Sequence, residues 1–366
     1  MTKQIRFGVV GVCGGYGRGS HMIASLNSVP PVKVVAICDI DKARLDKANE
    51  SLGVEQVYYN YDEMLDKANL DAVFIATPMN LHAPQSIAAL KRGVHVLCEV
   101  TAAVSLQECK DLVAACKTSK AVYMMAENYN YNSPVMAVQE MVKRGLFGTP
   151  YYAEGGYLAD CKGLAELTPW RRKWQVGING ITYVTHNLGP ILLWMPGERV
   201  VSVCCSGAGH HYRDPRGMAY EAEASSTMMA KTTSGNQIVI RSDFLSTRPG
   251  GGVYYTLQGT EGSYECLPGL AHRIWLRSKS QEPQWLDMKD VEPEFLPDRW
   301  KDAVAKGMNV SADYFQTVDF VNAILGKALN PIGVHESLDL TIPGLVSQLS
   351  IAEGGRWMTV PDSRMW

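Results

Sequence analysis

The chain reads as an α/β protein of two domains. The first is a doubly wound parallel sheet, and the second is an α+β domain with a large, mainly antiparallel sheet covered on one face. Three observations carry this. Short apolar runs alternate with helical patterns over the first 125 residues, a glycine-rich loop joins the first run to the first helix, and after Tyr131 the runs lengthen and alternate. A length of 366 residues suits two cores better than one.

The elements follow in order. Ile5–Val10 is the first apolar run, and His21–Leu26 is helical. Val32–Cys38 is a second run ending at Asp39, followed by a helix over Ala43–Ser51, a short strand at Val57–Tyr58 and a helix over Tyr61–Lys67. Ala72–Ala76, Ala83–Arg92, His95–Cys98, Leu106–Ser119 and Ala121–Met125 continue the alternation. Continuous apolar strands separated by helices predict a sheet covered on both faces. Beyond it, helix Pro134–Arg144 precedes strands Pro150–Leu158, Val200–Gly207, Ser226–Thr232, Gln237–Ser246, Val253–Gly259 and Gly262–Cys266. Helices Asp313–Leu325 and Leu338–Glu353 close the chain. The expected division is 1–125 and 126–366.

Composition narrows the function. Thirty-five Lys and Arg against 37 Asp and Glu leave a net charge of -2, which argues against a nucleic-acid or acidic-membrane partner, since phosphate backbones demand a basic surface. No apolar run reaches the ~20 residues of a membrane span. The opening MTKQIRFGVV runs directly into a strand with no export signal, and a cytoplasmic location is expected. The nine cysteines lack zinc-ligand spacing and read as reduced, mostly buried thiols. His210 and His211 diverge in an extended segment, so no metal site is expected there.

The loop Gly11-Val-Cys-Gly14-Gly15-Tyr16-Gly17-Arg18-Gly19 places backbone N–H groups at a helix N-terminus, where a pyrophosphate binds; a plain tight turn is the competing reading. It departs from strict G-x-G-x-x-G spacing by one extra residue. Asp39, 28 residues after Gly11, suits the ribose hydroxyls and would repel a 2′-phosphate, which favours NAD; otherwise it caps the next helix. Thr77, Asn80 and His82 after the fourth strand, and Glu99 after the fifth, stand where open α/β sheets bind ligands. A rigid turn at Thr77-Pro78, a helix-start role for His82 and a surface role for Glu99 are the alternatives.

These residues, in this order, resemble the glucose–fructose oxidoreductase/inositol dehydrogenase/MocA (Gfo/Idh/MocA) family, through ATPMNLHAP, HVLCEV and SIAEGGRWMTVPD. The resemblance implies an NAD(P)-dependent enzyme of sugars or polyols, pairing a Rossmann domain with an open-faced sheet domain that often forms homo-oligomers, dimers or tetramers. The usual Glu-Lys-Pro is Glu99-Val100-Thr101 here, similar instead to the Glu-Val-Pro-Ala-Ala of the NAD-dependent α-N-acetylgalactosaminidase-type glycosidases. Ala126-Glu127-Asn128-Tyr129, Glu154-Gly-Gly-Tyr157-Leu-Ala159-Asp160 and Tyr183-Val-Thr-His186-Asn-Leu-Gly-Pro190 resemble further motifs of that subfamily. Two departures stand out: Ala159 replaces a His, and Lys306–Asp313 replaces a glycine- and histidine-rich segment.

The resemblance implies transient oxidation at the sugar 3-position, elimination of the aglycone, water addition and re-reduction. In this scheme His186 takes the hydroxyl proton, since imidazole exchanges protons near neutral pH. Tyr157 serves proton transfer at carbon 2 or the leaving group, and Tyr183 orients substrate. Glu127 meets the nicotinamide ribose or a sugar hydroxyl, and Trp170, Arg171 and Arg172 offer a stacking ring and cations to the carbohydrate. Packing roles for each are the alternatives. A net sugar dehydrogenase and a non-catalytic NAD-binding regulator are the competing functions.

Overall fold

The computed structural model describes residues 4–14, 17–308 and 310–366, and within them the chain forms two compact units. The first comprises residues up to Glu127 together with Asp313–Thr341 and Asp362–Trp366. Its strands are β1 (Ile5–Val10), β2 (Val32–Cys38), β3 (Gln56–Tyr58), β4 (Ala72–Ile75), β5 (His95–Cys98) and β6 (Tyr123–Met125). They form one sheet in the order β3-β2-β1-β4-β5-β6, every neighbouring pair parallel. The order reverses between β1 and β4, which is where such sheets bind ligands at their carboxyl ends.

Local chemistry explains the elements. All four residues of β4 are buried, as expected of a strand covered on both faces. Asp41, Asn60 and Ser105 accept the N–H groups of Arg44, Glu63 and Glu108, capping helices Lys42–Leu52, Tyr61–Lys67 and Leu106–Thr118. Glu108 in turn accepts the N–H of Val104 at 2.8 Å, so this helix start is fastened from both sides.

A single cut at 125/126 differs from this division, because part of the tail returns to the first unit. Phe320, on helix Ala312–Ile324, packs edge-on against Phe7 of β1 with ring centroids 6.0 Å apart. The Met125 N–H donates to Ile332 O at 3.1 Å, and Asn330 donates to Tyr123 O at 2.7 Å, so backbone groups of the edge strand β6 are satisfied by the returning chain.

The second unit holds residues 128–312 and 342–361. Its strands are β7 (Pro150–Leu158), β8 (Val200–Gly207), β9 (Ser226–Thr232), β10 (Gln237–Asp243), β11 (Gly252–Gly259), β12 (Gly262–Cys266), β13 (Arg273–Leu276), β14 (Leu286–Asp287) and β15 (Met358–Thr359). They form a sheet ordered β14-β13-β12-β11-β7-β10-β9-β8-β15, antiparallel except for the β7–β10 pair. Local periodicity does not mark helices Lys162–Leu167, Pro169–Trp174, Thr185–Trp194, Met288–Phe295 and Asp298–Ala305, nor the last three strands.

Two glycines set how this sheet is covered. A Cβ on Gly155 would lie 3.1 Å from Asn187 Cβ and Ile191 Cδ1, so its absence lets helix Thr185–Trp194 sit close to one face of β7. A Cβ on Gly156 would lie 2.0 Å from the Tyr254 ring, which occupies the opposite face. Trp194 at the far end of that helix is fully buried, edge-on to Tyr255 and Tyr264 at 5.5 Å, with its indole N–H donating to Val135 O at 3.0 Å. The helix that carries His186 in its first turn is thereby anchored at its other end.

Candidate active site

In the first unit the chemistry gathers around the glycine loop. Gly11 adopts φ 83°, and a Cβ there would lie 2.6 Å from the backbone of Ala76. A Cβ on Gly19 would lie 2.6 Å from Gly11 O, so strand, loop and helix approach as only glycines allow. Among the described residues nothing lies within 4 Å of a Cβ built on Gly14. Gly17, with φ 61°, begins helix Arg18–Asn27 without a side-chain cap and without an acidic residue in the first turn, leaving its N-terminal field for an anion. Gly15 and Tyr16, the remaining loop residues proposed for the cofactor, lie outside the described residues.

Asp39 ties this loop to β2. One carboxylate oxygen accepts the Cys13 N–H at 2.7 Å and the other the Asp41 N–H at 3.0 Å. The next helix is capped by Asp41 and not by Asp39, which removes the capping alternative. A carboxylate oxygen has lone pairs beyond one such bond, so Asp39 can also accept from ribose hydroxyls. The uncapped helix, the space at Gly14 and this carboxylate fit a dinucleotide. Asp39→Ala is expected to weaken NAD binding by about tenfold or more, the worth of one or two hydrogen bonds to a charged group, as read by calorimetric titration.

Other predicted residues are engaged within the protein. His82 is fully buried, with Nδ1 2.7 Å from Thr101 O and Nε2 2.8 Å from Thr77 O. Burial pushes its pKa down while the two carbonyls push it back. The ring stitches together the segments leaving β4 and β5. Thr77 Oγ1 donates to Gln85 Oε1 at 2.7 Å, and Asn80 is half-buried in a short 3₁₀ turn. Glu99 accepts from Arg18 Nε at 2.7 Å, and the same guanidinium grips Asp313 with two bonds of 2.6 Å. Glu127 is fully buried just beyond β6, and Val100 is buried as well.

In the second unit three predicted residues converge. The His186 ring lies 5.2 Å from that of Tyr183, nearly edge-on, and 6.1 Å from that of Tyr157, while Tyr157 and Tyr183 stand 6.3 Å apart. Tyr183 precedes helix Thr185–Trp194, so a loop residue and the first turn of the helix bring the two rings together. Tyr157 is braced edge-on by Phe244 at 5.1 Å. Tyr157, Tyr183 and Ala159 all pack against a core of Ala165, Val176, Tyr220, Phe244 and Leu245. An alanine suits that apolar position.

Two members of this cluster went unassigned from sequence. The Tyr129 ring lies 4.2 Å from His186, closer than either tyrosine proposed for catalysis. It belongs to the Glu127-Asn128-Tyr129 motif, so a signal existed without a role attached. The Tyr255 hydroxyl donates to His186 O at 2.6 Å, holding the first turn of the helix, and no local pattern marks it.

The proposed sugar contacts are more committed. Arg172 pairs with Glu221 at 2.5 Å and lies over the Tyr220 ring at 4.8 Å, and Arg171 stacks on Trp170 at 4.3 Å while donating to Gln175 at 3.0 Å. His210 and His211 each meet a backbone carbonyl, of Tyr220 and Ala208, and among the described residues no three His, Cys, Asp or Glu side chains gather as a metal site.

Comparison with known proteins agrees with both halves. Residues 5–127 match the family model of the oxidoreductase family with an NAD-binding Rossmann fold. Residues 131–365, more than half of the chain, match that of the glycosyl hydrolase 109 C-terminal domain. The chain belongs to glycosyl hydrolase family 109. Among family 109 relatives, a glycosyl hydrolase family 109 protein of Stenotrophomonas maltophilia is 26% identical, covering 98% of this chain and 89% of its own. An alpha-N-acetylgalactosaminidase of Tannerella forsythia is 27% identical over 98% and 86%. Among solved structures, the WlbA dehydrogenase of Bordetella pertussis, in complex with NADH and UDP-GlcNAcA, aligns with a TM-score of 0.78 at 21% identity over 99% of both chains. An oxidoreductase domain protein of Kribbella flavida gives 0.83 at 19% over 98% and 100%. At these identities the likeness speaks for the fold. This family 109 protein is an NAD-dependent, sugar-acting enzyme of the glycosidase type, and no described helix is long and apolar enough to cross a membrane.

Proposed function

We propose that this enzyme cleaves a glycoside without net oxidation, with His186 as the group that takes and returns the proton of the sugar 3-hydroxyl. The observation that carries this reading is the enclosure of His186 by Tyr129, Tyr157 and Tyr183, which holds an imidazole beside three phenols able to move protons. When bound, NAD supplies a reversible hydride acceptor. Gly11, Gly14, Gly17 and Asp39 hold its phosphates and ribose. Tyr157 serves the proton at carbon 2, which becomes acidic once carbon 3 is a ketone, and Tyr183 orients the ring. Val100 is buried and carries no proton, which speaks against a lysine-assisted net dehydrogenase. Trp170, Arg171 and Arg172 border the carbohydrate.

An N-acetylgalactosaminide is the substrate to try first, because a relative bears that activity in its name. With aryl glycosides and catalytic NAD, the expected result is aglycone release without accumulating NADH. Product formed in heavy water is expected to carry deuterium at carbon 2. Stoichiometric NADH from free sugar would refute this reading. A cytoplasmic location, and a second copy covering the open face of the second sheet, where Met229 and Arg241 are exposed, belong to the same proposal. Light scattering tests the assembly.

A further inference from the structure

The first unit contains a polar feature beyond those assigned to the nucleotide. Helix Ala312–Ile324 lays Phe320 on Phe7 of β1. Asp313, Gln316, Thr317 and Phe320 recur at three- and four-residue spacing and so share the face that Phe320 turns to the sheet. Along that face Gln316 lies between the apolar contact at Phe7 and the Arg18–Asp313 pair beside the glycine loop. Gln316 is fully buried, and neither its amide nitrogen nor its amide oxygen has a hydrogen-bond partner among the described residues. Leaving both unmet is costly in a packed interior.

Arg18 is the other half of the feature. It is the first residue of the helix that offers its N-terminus to the pyrophosphate, and its guanidinium bridges Glu99, beyond β5, and Asp313, 295 residues further along the chain. Burial opposes its charge, yet the two carboxylates raise its pKa above the ordinary value. Two parallel bonds to one carboxylate fix the orientation as well as the position of a guanidinium. The bridge therefore locks loop, β5 exit and returning helix in one arrangement.

We infer that helix Ala312–Ile324 is a working wall of the dinucleotide site, with Asp313 as a positioning residue that acts through Arg18 and Gln316 as a polar group reserved for the bound nucleotide. The inference rests on the reading of the glycine loop as the nucleotide cradle. It also gives the segment that departs from the subfamily pattern, ending at Asp313, a task of its own.

The test is NAD titration of the cofactor-free protein by calorimetry, beside its melting temperature. Wild-type protein must bind first; if it does not, the cradle reading itself fails. Given wild-type binding, Asp313→Asn is expected to weaken NAD by about tenfold, the scale of a charge-assisted bond pair, with Asp313→Glu recovering part of the loss. Gln316→Met removes the unmet amide at nearly constant volume, and is expected to raise the melting temperature of the cofactor-free protein while weakening NAD binding. A folded Asp313→Asn that binds NAD as tightly as wild type overturns the inference. Should Asp313→Asn not fold, Gln316→Met binding NAD like wild type overturns it equally.

Discussion

His186→Ala is expected to abolish the reduced-nicotinamide burst on mixing with substrate and to lower kcat/KM by about 10²–10⁴-fold, the usual worth of a positioned acid–base group. The expectation follows from placement. The ring is nearly buried, has Tyr129 at 4.2 Å, and rides on a helix whose start is held by the Tyr255 hydroxyl and whose end is fixed by Trp194. Because NAD is assigned to residues of the first unit, its affinity should be unchanged in this variant, as should the melting temperature apart from the cost of a small cavity. A normal burst from a folded His186→Ala would remove His186 from the chemistry. Tyr255→Phe provides a graded comparison. It removes the hydrogen bond to the His186 carbonyl while keeping the ring, so a modest fall in kcat with little change in KM is expected.

Gly11→Ala is the change expected to do most damage to the cofactor site. The residue sits at φ 83°, where a side chain costs about 1–2 kcal/mol. The new Cβ would also press to 2.6 Å from Ala76 carbonyl atoms, and forced overpacking adds about 1–3 kcal/mol because backbone cannot swing aside. Together these take a large share of the ~5–15 kcal/mol that holds a domain folded. A lower melting temperature and loss of NAD binding are expected, read by calorimetry and by titration. A Gly11→Ala protein with wild-type melting and NAD affinity would show that the loop tolerates a side chain and does not need this close approach.

The strands show how far local pattern reaches. Ile5–Val10, Val32–Cys38, Pro150–Leu158, Val200–Gly207, Ser226–Thr232 and Gly262–Cys266 lie where apolar periodicity predicts them. Helix Thr185–Trp194 escaped because its buried, Pro-containing sequence has no polar face to mark a period. The sites divide similarly. The place of Asp39 beside the glycine loop was legible because a carboxylate at a strand end and a glycine loop are both local signals. Arg172 read as a free cation, although Glu221 claims it, because a partner 49 positions further along the chain leaves no local trace of that pairing.

What the sequence by itself determined is therefore the local grammar: the alternation of the first sheet, the glycine loop and the carboxylate that follows β2. Each of these is decided by atoms a few residues apart, through backbone conformation, side-chain length and hydrogen bonds to neighbouring N–H groups. Only the tertiary structure decided that Tyr129 flanks His186, that Tyr183 meets it from a loop, and that Asp313 claims Arg18. These pairings rest on how whole sheets and helices pack, and packing selects partners by shape and burial, which distance along the chain does not encode.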